Sequence, residues 1–193
     1  LHGELRQGFD DQDTLRLPKS EWPPMRKAKV HATREEVWKL FGKWDDAGTL
    51  VLFLASEIPE DERVGLFPIY KDEHWDRLIL NPTVVNSRMR SLNSHTRMLG
   101  QGWSLTKVYL RPDEDLLISA DDLREFYYVW IVSRKRASRN AVGMLFRGSD
   151  FRGFKCYKPE WEHRWVLGAL GSLAMGDSLA VELAQAAHYD LLR

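Results

Sequence analysis

Ser119-Ala120-Asp121-Asp122-Leu123-Arg124-Glu125-Phe126-Tyr127-Tyr128 follows directly on the apolar run Leu116-Leu117-Ile118. A short β-prone run that closes on an acid sets a carboxylate at a strand tip. The Leu, Phe and Tyr that follow predict a helix turning back over that strand. Enzymes that transfer phosphoryl groups commonly hold a divalent metal ion on such a carboxylate. The same position suits a helix N-cap, with Asp121 or Asp122 accepting from backbone amides, and caps are the commoner use. The offsets to Leu123, Glu125 and Tyr127 favour Asp122 over Asp121 as the ligand. A ring at Tyr127 could lie flat beneath a sugar and exclude a 2′-hydroxyl. Surrounded by Phe126, Tyr128 and Trp130, it reads as readily as a core aromatic.

Two other stretches bear on this one. Leu66 to Tyr70 and Arg77 to Leu80 read as strands joined by the polar tip Lys71-Asp72-Glu73-His74-Trp75-Asp76, a β-hairpin. Lys71 and Arg77 flank the tip, a point charge and a planar fork that together suit a triphosphate. Exposed hairpin ends also carry such residues to no particular purpose. Further on, Met175-Gly176-Asp177-Ser178 reads as a turn into a final helix, capped by Asp177 or Ser178, with an apolar stripe of Ala180, Leu183, Ala187 and Leu191. Gly176 lets the backbone approach a ligand closely, and Gln185 falls on the helix about two turns in.

The remaining organisation is plainer. Residues 1–32, with Pro18, Pro23 and Pro24, read as an extended N-terminal segment ahead of one unit over 33–193. Thr33-Arg34-Glu35-Glu36 is a capping box, followed by Val37, Leu40, Phe41 and Trp44 at helical spacing, with Gly42 as a possible stop. Leu50 to Ala55 is apolar and ambiguous between strand and helix. Further strands are expected at 107–110, 116–120, 142–146, 154–157 and 165–170, and a helix from Leu123. Arg134-Lys135-Arg136 lies in the densest basic stretch, which could meet template phosphates or simply face solvent.

Lys and Arg total 28, as do Asp and Glu, so bulk charge gives no case for a polyanion partner. Cys156 is the single cysteine, which excludes an internal disulfide and a thiolate zinc site and fits a reducing, intracellular (cytoplasmic or nuclear) setting. The histidines show no ligand spacing, and no nucleophile-elbow sequence is present. No apolar run reaches membrane-spanning length, so no membrane partner is expected. The chain starts at Leu1 and stops at Arg193 within a helical pattern, and is expected to be an excerpt of a longer protein.

Taken in order, the segments resemble the reverse transcriptases of retroelements. Phe67-Pro68-Ile69-Tyr70-Lys71-Asp72, then Arg77-Leu78-Ile79-Leu80-Asn81-Pro82-Thr83-Val84-Val85-Asn86, is similar to that family's fingers signature. Ile118 to Tyr128 is similar to its first catalytic-Asp segment in the palm, and Leu173 to Asp177 with Gln185 to its Pro-x-Gly turn and helix. The resemblance implies an α/β fold of the α+β type, a fingers lobe interleaved with an incomplete palm holding a mixed or antiparallel sheet. It implies RNA-directed DNA polymerase activity in the parent protein, with a primed RNA or DNA template, dNTPs and two Mg²⁺ ions. Asp122 would be the catalytic metal ligand, with Leu123 contributing its carbonyl. Lys71 and Arg77 would hold the triphosphate, Tyr127 would select against ribose, and Gly176 and Gln185 would shape the nucleotide site.

The sequence departs from the family at Asn81, Thr83 and Ala174, where Asp, Arg and Pro are usual, and no paired-aspartate hairpin follows Gln185. The excerpt is therefore expected to be inactive alone, with an unpaired edge beside the Asp122 strand and an exposed apolar helix face. Two other classes compete. One is a non-catalytic nucleic-acid-binding module using Arg134, Lys135 and Arg136. The other is a protein-interaction domain built on the eight tryptophans.

Overall fold

The computed structural model describes residues 3–24, 27–74, 76–92, 95–99, 102–120 and 124–191. The N-terminal segment is not the extended arm expected from its prolines. It opens with helix α1 (Gly3–Asp10), followed by turns of 3-10 helix at Gln12–Leu15 and Lys19–Glu21. Leu5 and Leu15 are buried against Leu173, Leu179 and Leu183, and that apolar contact holds the segment to the body. The backbone pairs as well, Leu17 N donating to Arg88 O and Arg90 N to Leu15 O. The Trp22 ring is stacked by the guanidinium groups of Arg16 at 4.7 Å and Arg88 at 4.3 Å. Glu62 accepts from both Arg16 and Arg139 and lies 3.7 Å from Arg88. One carboxylate thus gathers guanidinium groups from three distant parts of the chain.

Thr33 caps helix α2 (Arg34–Asp46) as the capping box predicts. Glu36 N donates to Thr33 Oγ1 at 3.3 Å, and Thr33 N donates to Glu36 Oε2 at 2.6 Å. Thr33→Ala removes the cap acceptor and is expected to cost about 1 kcal/mol in a urea unfolding titration. Gly42 does not stop the helix, which continues to Asp46, with Gly48 at φ +69° turning the chain away two residues beyond its end. Val37, Phe41 and Trp44 form its buried face.

The apolar run after α2 resolves as strand β1 (Leu50–Leu54). The hairpin supplies β2 (Gly65–Tyr70) and β3 (Asp76–Asn81), followed by the short helix α3 (Thr83–Asn86). The basic stretch forms helix α4 (Arg134–Ala137), ahead of β4 (Phe146–Arg147), β5 (Trp165–Leu170) and helix α5 (Ala180–Leu191). β5 lies between β1 and β4, antiparallel to both, and β2 pairs antiparallel with β3 in a separate ribbon. α2 packs on the three-stranded sheet. A Cβ at Gly168 would meet the Phe41 ring at 2.5 Å, so only glycine admits that ring against β5. Helices and antiparallel sheets in these separate segments make an α+β fold.

Several expectations fail. Residues 107–110, 116–120 and 154–157 are not strands, and of the run 142–146 only Phe146 is, at the start of β4. The side of β5 away from β1 is taken by β4 and by a bridge from Ala141, with Ile131 bridging Ser172 just past its end, and the 116–120 run pairs with nothing among the described residues. Its side chains face solvent, Leu117 at 93 % exposure. Residues 124–129 form turns rather than helix, with Glu125 at φ +53°, a left-handed value that interrupts a helix. On α5 the buried stripe is Ala180, Leu183 and Ala186, while Leu191 is exposed.

Candidate functional site

The hairpin carries the first part of the site. Its register pairs Ile69 with Arg77 and Tyr70 with Asp76, so Arg77 stands opposite Ile69 and Lys71 lies one residue past the ladder. By strand alternation both cations belong to the same face of the ribbon, diagonally placed. Both are exposed, and among the described residues neither has a carboxylate partner. Several exposed cations elsewhere are paired, as in Arg6–Asp10, Lys27–Glu60 and Lys39–Glu35.

The glycine turn sits on the same ribbon. Gly176 has φ +102°, and a Cβ there would meet Leu80 O at 2.5 Å and Pro82 Cδ at 3.1 Å. Any other residue would strain the turn and push it off β3. Asn86 clasps it, donating through Nδ2 to Gly176 O at 2.7 Å and accepting from Ser178 N at 3.3 Å. Arg77 and Leu80 lie three residues apart on β3, or about 10 Å. The sequence reading missed Asn86 as a site residue, although it closes the fingers-like run. Asn81 and Thr83, the two departures in that run, pair with each other: Asn81 Oδ1 accepts from the Thr83 amide at 3.2 Å and from its hydroxyl.

Asp122 and Leu123, with Asp121, lie outside the described residues. The residues just after them are brought to the ribbon. Tyr128 packs in the same core cluster as Leu78 and Leu80. Burial pushes the Tyr128 phenol upward, Glu125 adds to the rise, and the positive charge of Arg77 opposes it. Arg77 and the segment after Asp122 are therefore within electrostatic reach. Tyr127 is half-buried against the Leu173, Leu179 and Leu183 cluster and beside Phe126. Gln185 is half-buried on α5, which starts four residues after Gly176. The reading also missed Glu182, buried in the first turn of α5, which accepts from His95 N at 2.7 Å and Thr96 N at 3.1 Å. Its sequence signal, an acid in a helical first turn, is too common to single it out.

The basic stretch needs correcting. Arg136 is not a solvent-facing cation. Its side chain is 1 % exposed and donates to Gly8 O at 2.6 Å and Asp177 Oδ2 at 2.6 Å. Asp177 Oδ1 also accepts from Leu179 N at 2.8 Å, so one carboxylate fixes both the basic helix and the start of α5. Arg134 and Lys135 stay accessible, but each is held by an acid, Glu57 and Asp11 respectively. Among the described residues no group of three or more His, Cys, Asp or Glu side chains is placed to hold a metal ion. Burial, with the Asp45 carboxylate alongside, raises the Cys156 thiol to about 12, which keeps it protonated and unreactive at neutral pH. An open cleft of about 530 Å³ lined by Arg34, Glu35, Trp38, Phe146 and Asp150 shares no residue with the ribbon or the turn. Among the described residues no helix is long and apolar enough to cross a membrane.

No protein family matches the chain, and no curated protein matches it in sequence. The structure is similar to that of a foamy viral protease-reverse transcriptase dRH in complex with double-stranded DNA, at a TM-score of 0.52 and 14 % identity. The likeness is one of fold. It covers 100 % of this chain and 33 % of the viral one, so the chain spans about a third of that protein's length.

Proposed function

We propose that this chain is the fingers and first palm portion of a retroelement RNA-directed DNA polymerase. The observation that carries the reading is the Asn86 clasp, which joins the strand bearing Arg77 to the Gly176 turn. Two stretches far apart in sequence, read separately as phosphate-binding and nucleotide-shaping, are thereby joined, and Tyr128, six residues after Asp122, packs in one core cluster with Leu78 and Leu80 of β3. The fold likeness to a viral reverse transcriptase supports the same reading.

In this reading Lys71 and Arg77 hold the triphosphate, Arg77 through its fork and Lys71 as a mobile point charge. Among the described residues neither cation has a carboxylate partner, which favours phosphate as their ligand. Gly176 presents bare backbone toward the nucleotide, Gln185 borders it from α5, and Tyr127 limits the sugar. Asp122 is the metal-binding carboxylate, with the Leu123 carbonyl beside it. When bound, two Mg²⁺ ions would activate the primer hydroxyl and stabilise charge at the reacting phosphate.

Calorimetric titration of dTTP with Mg²⁺ into the protein tests the phosphate assignment. Lys71→Ala and Arg77→Ala should each weaken binding about tenfold, or about 1.4 kcal/mol. Lys39→Ala, which removes a cation already paired to Glu35, should change nothing. Equal affinity in all three variants and the parent would remove the ribbon from the nucleotide site.

A further inference from the structure

The two accessible cations of α4 are each engaged by an acid from another part of the chain. Arg134 Nη2 lies 3.2 Å from Glu57 Oε1, with both side chains roughly half exposed. Lys135 Nζ lies 2.5 Å from Asp11 Oδ2 and 3.8 Å from Asp13 Oδ2. Asp11 sits below its ordinary range chiefly through the hydrogen bond from Lys135, and the lysine is raised in return. Ser133 Oγ donates to Asp10 O at 3.3 Å, which fixes the acidic segment over the start of α4. The remaining cation of α4, Arg136, and Arg139 in the turn after it are buried and structural.

Each acid also does a local job with an oxygen. Asp11 Oδ1 accepts from Asp13 N at 3.0 Å, and Glu57 Oε2 accepts from Leu54 N at 2.5 Å. The two carboxylates thus stand pre-positioned on the cations by their own backbones. They occupy the place that phosphate oxygens would take at Arg134 Nη2 and Lys135 Nζ, while Arg134 Nη1 donates to Leu52 O at 2.8 Å and aims the guanidinium. Carboxylate and phosphate compete for the same ammonium and guanidinium donors.

We infer that Arg134 and Lys135 form a contact site for the phosphates of single-stranded RNA, and that Glu57 and Asp11 are intramolecular competitors that hold its affinity down. The site rests on the polymerase reading only for the choice of ligand, since no nucleotide or metal ion takes part. A polyanion binds by displacing two half-exposed carboxylates, so occupancy rises where the local phosphate concentration is high and falls steeply with salt.

The test is fluorescence anisotropy with a labelled oligouridine, without Mg²⁺ or nucleotide, over a salt series. Asp11→Asn with Glu57→Gln removes both charges and keeps both backbone acceptors. That double variant should bind about tenfold more tightly at low salt, and the log–log salt slope should steepen by about 0.7 for each freed cation. Adding Arg134→Gln and Lys135→Gln should return affinity to the parent level or below. A double variant with an unchanged urea midpoint and unchanged RNA affinity would overturn the proposal. So would a gain that survives loss of both cations. If dNTP binding fails while this gain appears, the polymerase reading falls and the competitor site stands. If dNTP binding holds and the gain is absent, the reverse applies.

Discussion

Arg136→Ala should destabilise the protein by about 3–5 kcal/mol, the range for breaking a buried ion pair from one side. The guanidinium is almost wholly removed from water and satisfies Gly8 O and Asp177 Oδ2 at once. Its removal leaves a buried carboxylate without its countercharge and a backbone carbonyl without a donor, and both penalties add to the lost contact. Asp177 also accepts from Leu179 N just ahead of α5, so its reorientation would loosen the entry to the helix that carries Glu182. The pair should be insensitive to salt, since buried charges are poorly screened. Arg136→Lys should recover part of the loss, because it keeps the charge but cannot fork between two acceptors. The measurement is the urea midpoint at constant m-value. A loss under about 1 kcal/mol would mean that the pair is exposed in solution, contrary to its geometry.

Asp122→Ala should abolish Mg²⁺-dependent dNTP incorporation in a longer chain that carries this sequence and the segment after it. A ligand carboxylate of a two-metal centre is worth several kcal/mol of transition-state stabilisation, or about 10³-fold or more in rate. Asp121→Ala should be far milder, since the Leu, Glu and Tyr offsets favour its neighbour. The paired measurement is primer extension with each variant at matched folded concentration. Equal extension by Asp122→Ala and the parent would end the polymerase assignment. Loss with Asp121→Ala instead would keep the chemistry and move the ligand by one residue. Mg²⁺-dependent protection of Asp122→Ala against thermal unfolding should likewise be weaker than in the parent.

Local signals were legible where they are dictated by adjacent residues. The Thr33 box and the β2–β3 hairpin follow from short-range chemistry, and each is where the sequence puts it. Misreadings arose where distant residues decide. Arg136 reads as a surface cation beside Arg134 and Lys135, because nothing nearby shows that Gly8 and Asp177 will close over it. Residues 116–120 have strand composition, but a strand exists only through its partner, and β5 offers them no open side. Residues 3–24 lack periodicity, and their order comes from Leu5 and Leu15 meeting α5. Asn86 was visible as a residue but not as a clasp, since its partners lie 90 and 92 positions away.

The Glu62 hub and the α4 contacts bear on the order in which the molecule matures. Asp13 and Arg139 are 126 positions apart, and Gly8 and Arg136 are 128 apart. A ribosome releases the first members of these pairs long before the second. The residues around Gly8 and Asp13 therefore wait for partners made much later, and their contacts form only after a costly ring closure. Until Leu173, Leu179 and Leu183 follow, Leu5 and Leu15 have no native apolar surface to pack on, so residues 3–24 stay sticky for most of the synthesis of this stretch.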